Sequence, residues 1–355
     1  MNDDLILRLD DKEIIGWDSL RVSRSIERFP TNFSLSLMDN YDVTGNTQII
    51  RPGRECQIYL GSDLVCTGYI DQWMVSKTST SHQVNVSGRG KCQDLVDCSA
   101  NWPNNVISNT NVIALCQKLA NSYGIKVKSN IKNFQILPQF NLNWGETSQE
   151  IIDRICRWAG LLYYELPDGS LYLTRVNNKK AASGIEEGKN IEKYDYSVSL
   201  ASRYSEYSGI SISALPLQEL GTAGYSQMMV AKAKDPDYKK LRFRNKITIV
   251  ESTMTSAKLA QDCINWEMNR RYGRSKQIKV TLDSWRDSSG ALWEQNTLVP
   301  VNIPSIDLKN ELWLIASVEY QKGKKGTRCD MILMPPEAFI VEPFQFYSPL
   351  AELQK

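Results

Sequence analysis

A three-strand pattern occurs twice in this chain, at residues 55–88 and at residues 297–334. In each copy a strand, a short turn, a second strand, a polar loop and a third strand follow one another, because apolar or alternating runs are separated by turn residues. The first turn lies at residues 61–63 and the second at 304–310. Two similar β modules in one chain would let three copies build a ring with six similar positions.

Length and charge limit the classes of protein that fit. A chain of 355 residues has room for two or three domains, each with its own core. The 42 basic and 40 acidic residues leave a net charge of +2, which argues against binding to nucleic acid or a membrane surface through charge. The N-terminus is acidic, apolar runs are short, and the eight cysteines are irregularly spaced. These features predict folding in the cytosol with reduced, buried thiols.

The hydrophobic pattern predicts a mainly β protein with an α+β part: two similar small β-barrel domains and an α+β middle domain. A polar stretch at residues 177–184 is typical of a linker. We predict four units: a first β-barrel domain at 1–98, an α+β domain of two helices and a hairpin at 99–178, a second β-barrel domain at 179–340 with one long helix and a flexible loop at 216–240, and a C-terminal tail at 341–355.

Three helices are predicted from capping signals and apolar spacing. The first is capped by Asn109 or Thr110 and stops at Gly124. The second begins at Thr147, where Glu150 completes a capping box, and it ends at Gly160. The third spans 256–272, stops at Gly273 and has a predicted buried stripe of Leu259, Cys263, Trp266 and Met268.

No catalytic, cofactor-binding or metal-binding set stands out. His82 is the single histidine of the chain and lies in a loop before a strand, so most zinc sites and histidine-based triads are hard to assemble here. Residues 88–91 read Gly-Arg-Gly-Lys, but the glycine and hydroxyl positions of a phosphate-binding loop are not filled, so a tight strand-to-helix turn is the better interpretation. Among the 40 acidic residues, nothing in the sequence singles out a carboxylate pair of the glycosidase type, whose geometry is not visible in sequence.

Aromatic residues are the remaining candidates. Trp285 and Trp293 could form a sugar-binding platform, but packing in a core or an interface is the commoner use of tryptophan. The tail beyond 341 is too aromatic for an inert terminus. The sequence therefore predicts an interaction surface from these aromatic residues: Trp285, Trp293, Phe344, Phe346 and Tyr347.

Six short segments are distinctive in their order and spacing. They are Val-Ser-Arg-Ser-Ile-Glu at 22–27, Thr-Gly-Tyr-Ile-Asp at 67–71, Val-Ser-Gly-Arg-Gly-Lys at 86–91, Ile-Cys-Arg-Trp-Ala-Gly-Leu at 155–161, Trp-Arg-Asp at 285–287 and Pro-Glu-Ala-Phe at 336–339. Together they resemble the baseplate hub family of contractile-tailed, Mu-like phages and the related late-control protein D group, over roughly residues 15–340. The resemblance implies a homotrimer whose two barrels per chain form a pseudo-sixfold ring.

Such a ring would join a tail tube protein to a threefold central spike protein and leave a channel through which DNA passes without specific binding. The resemblance implies a non-enzymatic structural protein of the virion tail baseplate, without cofactor or membrane segment, assembled in the host bacterial cytoplasm. Two alternatives stay open. One is a carbohydrate-binding tail-tip protein that uses Trp285 and Trp293, and the other is a cell-wall-degrading tail-tip enzyme.

Overall fold

The structure is a computed structural model. It describes residues 4–10, 12–38, 50–79, 82–102, 106–132, 134, 136–211, 229–249, 257–324 and 326–340. Strands dominate this part of the chain, which confirms the mainly β class. The expected tail at 341–355 and residues 216–228 of the expected flexible loop lie outside the described residues.

The N-terminal module consists of strands, and its sequence explains why. Apolar and polar residues alternate along Asn-Phe-Ser-Leu-Ser-Leu at 32–37, so one face of the strand is buried and the other is open to solvent. The strands are β1 (Leu5–Leu9), β2 (Lys12–Ile14), β3 (Ser19–Ser25), β4 (Asn32–Met38), β5 (Glu55–Leu60), β6 (Asp63–Lys77) and β7 (His82–Gly90).

The middle region has its own apolar core, to which Leu115, Ile151 and Leu171 contribute. Helices α2 and α3 pack on each other and on small sheets. The elements are α1 (Gln93–Asp97), β8 (Val106–Asn111), α2 (Val112–Asn121), β9 (Val127–Ser129), β10 (Ile136–Asn141), α3 (Ser148–Ala159), β11 (Leu162–Glu165) and β12 (Leu171–Thr174).

Local signals set the ends of these helices. The side chain of Asn111 accepts a hydrogen bond from the backbone N–H of Ala114, so Asn111 caps α2 and the predicted caps Asn109 and Thr110 are wrong by one or two residues. At α3 the predicted capping box of Thr147 and Glu150 is present, and Gly160 ends the helix at φ 69°.

The C-terminal region carries a second set of strands and the longest helix. Its elements are β13 (Ile185–Glu186), β14 (Ile191–Val198), β15 (Glu206–Ser211), β16 (Met229–Lys234), β17 (Asn245–Ile249), α4 (Ala257–Arg274), β18 (Lys276–Leu282), β19 (Leu298–Ile303), β20 (Leu308–Gly323) and β21 (Gly326–Met334). Short 3-10 helices span Pro304–Ile306 and Pro336–Phe339. The expected loop at 216–240 is therefore partly the strand β16, which pairs with β15.

Helix α4 continues past the predicted stop at Gly273. A Cβ at that position would lie 2.2 Å from the backbone nitrogen of Ala338, so glycine serves close packing of the Pro336–Phe339 turn and not helix termination. Among the described side chains of α4, Ala260 and Ile264 are fully buried, one position away from the predicted stripe. Cys263, Trp266 and Met268 are only partly buried, and the side chain of Leu259 lies outside the described part of the chain.

One 13-stranded sheet runs through both β modules, because β3 pairs with β20. The described strand pairs do not close either half into a barrel, so two barrel domains are not confirmed. Residues of both modules, among them Val22, Val86 and Val318, share one apolar core. The expected linker at 177–184 is held against this sheet, since the backbone N–H of Ala181 donates to the carbonyl of Leu298.

The two copies of the repeat have the same strand order, β3-β4-β7-β6-β5 in the first module and β14-β18-β21-β20-β19 in the second. The long strand of each copy shifts register at the same place, between Ile70 and Gln72 in β6 and between Ile315 and Ser317 in β20. The polar loops expected after Ile70 and in the second copy are largely strand. The structural repeat is therefore longer than its sequence pattern.

Within the described residues, no helix is both long enough and apolar enough to cross a membrane.

Candidate interaction surfaces

The two β modules meet at an antiparallel junction between β3 and β20. Val22 lies opposite Tyr320, and Arg24 opposite Val318. The apolar side chains Val22, Val318 and Tyr320 are completely buried here. On the outer face, the Arg21 guanidinium lies 2.8 Å from a carboxylate oxygen of Glu319. The junction therefore combines backbone pairing with an apolar core, which is how strands are joined within a stable sheet.

The equivalent part of β6 in the first module has no neighbouring strand in the position that β3 takes beside β20. Residues 72–77 of β6 pair with β7, and among the described residues no strand pairs along their other side. Trp73, Met74 and Val75 are 40%, 49% and 40% exposed. The sequence pattern predicted a polar loop here and missed this strand. The available signal was the run of three large apolar residues inside that supposed loop.

A second open edge lies at β14, the first strand in the order of the sheet. Strand β14 pairs with β18, and the described residues include no strand on its outer side. Val198 at its end is 51% exposed. Unpaired N–H and C=O groups beside exposed apolar side chains are the usual marks of an edge that pairs with another chain.

Trp285 and Trp293 do not lie on a surface. Their exposed fractions are 1% and 3%, and both belong to the core that the two modules share. The indole N–H of Trp285 donates to the carbonyls of Gln321 and Arg328. Neither ring face can therefore stack on a sugar, which removes the observation behind a carbohydrate platform. Phe344, Phe346 and Tyr347 lie outside the described residues, and the interface role of the five aromatic residues stays a prediction.

Glu165 lies buried where the N-terminal module meets the middle region. Its carboxylate oxygens accept hydrogen bonds from the backbone N–H groups of Thr31, at 2.9 Å, and Cys92, at 2.8 Å. Burial raises the pKa of Glu165 to about 7, against the opposing effect of these two hydrogen bonds. A Cβ on Gly90 would lie 1.8 Å from a carboxylate oxygen, so only glycine leaves room for this contact.

A raised glutamate pKa is also a feature of the general acid in glycosidases. Glu165 is only 3% exposed, and both its oxygens are held by backbone donors. It therefore has no access to a substrate and links two parts of the fold. Gly88 and Gly90 lie in β7, and two turn residues connect this strand to α1, as the strand-to-helix interpretation predicted.

An open cleft of about 840 Å³ lies between the N-terminal module, the middle region and α4. Most of its arginines are engaged: Arg89 binds Asp71 and Asp97, and its guanidinium holds the pKa of Asp97 below the usual range. Ile340, the last described residue, lines the cleft.

Across the described residues, no group of three or more histidine, cysteine, aspartate or glutamate side chains could hold a metal ion. The eight cysteines are free thiols, and six of them are buried. Burial raises the pKa of Cys66 and Cys329, which keeps these thiols protonated and unreactive.

Comparison with known proteins places this architecture among phage tails. The N-terminal domain of the Mu phage baseplate assembly protein GpP-like family matches residues 4–90. The second domain of the baseplate hub protein gp44-like family matches residues 92–175, and the fourth domain of Mu phage baseplate assembly protein GpP matches residues 256–342.

Relatives extend over nearly the whole chain. Baseplate hub protein gp44 of Escherichia phage Mu is 28% identical over 347 residues, which are 96% of this chain and 90% of the relative. The 43 kDa tail protein of prophage MuSo2 from Shewanella oneidensis has a TM-score of 0.81 and 27% identity, and the match covers 95% and 99% of the two chains. The tail protein from Neisseria meningitidis MC58 shares the fold, with a TM-score of 0.78, 19% identity and coverage of 96% and 99%.

Fold and sequence thus define a phage tail protein of the group that builds baseplates. Within this class, the chain belongs to the baseplate hub family of Mu-like phages.

Proposed function

We propose that three copies of this chain form the ring of a contractile-tail baseplate hub, with six similar β modules around a central channel for DNA. The observation that carries this proposal is the identical strand order of the two modules, with the register shift at the same place in β6 and β20. Modules of one shape can occupy equivalent positions in a ring, because each presents the same edges to its neighbours.

A ring of this kind offers sixfold contacts on one side and threefold contacts on the other. It can therefore join a sixfold tail tube protein to a threefold central spike protein, and each interface must bury well over ~1,000 Å² to be stable. We place the protein in the virion tail baseplate, assembled in the host bacterial cytoplasm. The four units at 1–98, 99–178, 179–340 and 341–355 are proposed as its domains.

Electron microscopy and analytical ultracentrifugation of the purified protein test the ring. The expected particle is threefold symmetric with six lobes, and its mass is three times the 40.4 kDa of the chain. A protein that sediments as a monomer at micromolar concentration contradicts the proposal.

We also propose a structural role without enzymatic activity. The named relatives are baseplate and tail proteins, and the raised-pKa carboxyl of Glu165 is enclosed by the fold. Turbidity of cell-wall suspensions should stay constant when the purified protein is added. Clearing of such a suspension would favour the cell-wall-degrading alternative.

A further inference from the structure

The junction within the chain provides a template for contacts between chains. Strand β20 lies beside β3 in an antiparallel register that runs from Ser317 opposite Ser25 to Lys322 opposite Leu20. This pairing joins the second module of the chain to the first. In a ring of six similar modules, a comparable junction must join the first module of one copy to the second module of the next.

The strand pairs show which residues are equivalent in the two modules. Trp73 lies opposite Val86 in the first module as Val318 lies opposite Met331 in the second, and both pairs are two residues beyond the register shift. Residues 72–77 of β6 therefore correspond to residues 317–322 of β20.

The same comparison relates β3 to β14. Val22 lies opposite Phe33 of β4, and Tyr196 lies opposite Ile278 of β18. The paired strands β4 and β18 stand in the same place in their modules. Residues 20–25 of β3 therefore correspond to residues 194–199 of β14.

The open edge of β6 is thus equivalent to β20, and the open edge of β14 is equivalent to β3, the two strands that pair inside the chain. At the internal junction Val318 and Tyr320 are fully buried, whereas their equivalents Trp73 and Val75 are both 40% exposed. Apolar side chains thus occupy positions on the open edge that a neighbouring strand covers at the internal junction. Val198, on the other open edge, is also apolar and exposed.

We propose that residues 72–77 of β6 in one copy pair antiparallel with β14 of the next copy, in the register of the internal junction. Trp73 then faces the neighbouring copy's Val198, Met74 faces its Ser197, and Val75 faces its Tyr196. The inference rests on the proposed ring and adds to it the edges and the register by which copies meet.

This register places apolar residues together on one face. Trp73 and Val75 point to the side of the buried Val86 and Val84, since directly opposite residues of antiparallel strands share a face. Tyr196 packs on the shared core of its own module. Pairing would extend that core across the copies and satisfy the backbone groups of both edges. Three internal and three intermolecular junctions would then alternate around the ring.

Disulfide cross-linking tests the register. In the double variant Met74→Cys with Ser197→Cys, the new thiols lie on the face opposite the apolar cluster, so that cluster is left intact. Under mild oxidation this variant should give covalent dimers and trimers on non-reducing gels. The matched control, Met74→Cys with Asp195→Cys, is two residues out of register. Its Cβ atoms would be ~7 Å apart, beyond the reach of a disulfide.

Two further controls calibrate the measurement. Ser23→Cys with Glu319→Cys marks the equivalent pair within the chain and should form a disulfide without any change in mass. The unmodified chain reports cross-links through its own cysteines, two of which are partly exposed.

Sedimentation of the same samples distinguishes a failure of the proposed register from a failure of the proposed ring. A trimer in which the in-register pair cross-links at least tenfold faster than the out-of-register pair supports the proposal. A trimer without that preference overturns the register and leaves the ring standing. A monomer in sedimentation overturns the ring itself.

Discussion

Glu165 shows how one residue can couple two parts of the fold. Its carboxylate accepts from the backbone of Thr31 in the N-terminal module and of Cys92 beside α1. Burial disfavours the charged form, and two neutral donors do not fully compensate for the lost hydration. The contact therefore holds the middle region against the first module but makes the molecule sensitive to pH.

We predict that the free energy of unfolding falls as the pH rises from about 4.5 to about 7. The folded-state pKa of Glu165 is raised to about 7, so in this window the folded protein holds a proton that the unfolded chain has already lost. The loss should amount to about 3 kcal/mol, since a tenfold difference in proton affinity between the folded and unfolded states corresponds to ~1.4 kcal/mol. Urea unfolding at pH 5, 6, 7 and 8 measures it.

The variant Glu165→Gln should lose most of this slope, because the amide does not titrate. Asp307→Asn is the matched control, since that side chain is 92% exposed, and it should keep the slope of the unmodified protein. A Glu165→Gln variant with an unchanged slope would refute the assignment.

At the scale of elements, helix α3 illustrates a structure fixed by local signals. Thr147, Glu150 and Gly160 determine its ends through contacts within a few residues, so sequence alone predicted them. Strand β6 is the opposite case. Its continuation to Lys77 depends on pairing with β7, and the apolar run at 73–75, which lies between the polar residues Gln72 and Ser76, was its one local sign.

We predict that Thr147→Ala lowers the free energy of unfolding by about 1 kcal/mol. The substitution leaves the backbone N–H of Glu150 without its side-chain acceptor. Thr147→Ser keeps the hydroxyl and is the matched control, with a change of less than about half that size. Chemical denaturation followed by circular dichroism measures both. Equal losses in the two variants would show that the cap hydrogen bond does not matter.

The sequence predicted only part of the candidate interaction surface. Tryptophan is common both in cores and in interfaces. The sequence did not reveal that the indole N–H of Trp285 donates to the carbonyls of two distant residues, Gln321 and Arg328. The repeat itself was visible, because alternation and turn residues are local. Its register, which identifies the open edges, emerges only from strand pairs far apart in the chain.

At the scale of the whole molecule, both modules share one core and one sheet. The N-terminal and C-terminal segments therefore depend on each other. In the proposed ring, the open edges at residues 72–77 of β6 and at β14 would pair with neighbouring copies. The assembly should accordingly be sensitive to charge at those edges, because an unpaired charge buried in a sheet interface is strongly unfavourable.

We predict that Val198→Lys weakens the trimer at least tenfold. Loss of a buried valine is worth ~1.5–3 kcal/mol, and ~1.4 kcal/mol is a factor of ten in affinity. Val106→Lys is the matched control, because Val106 is 46% exposed on β8, which pairs with β10 in a separate sheet. Sedimentation over a dilution series measures the two variants. Equal trimer dissociation in both would show that β14 is not at the interface.

The pairing of β3 with β20 lies within one polypeptide. It therefore sets the angle between the two modules of each copy. If every later contact copies that angle, and it equals one sixth of a turn, growth stops by itself after three subunits. A slightly different angle would yield an open helical filament instead. The angle between the two modules of each subunit would thus decide whether the assembly closes into a ring.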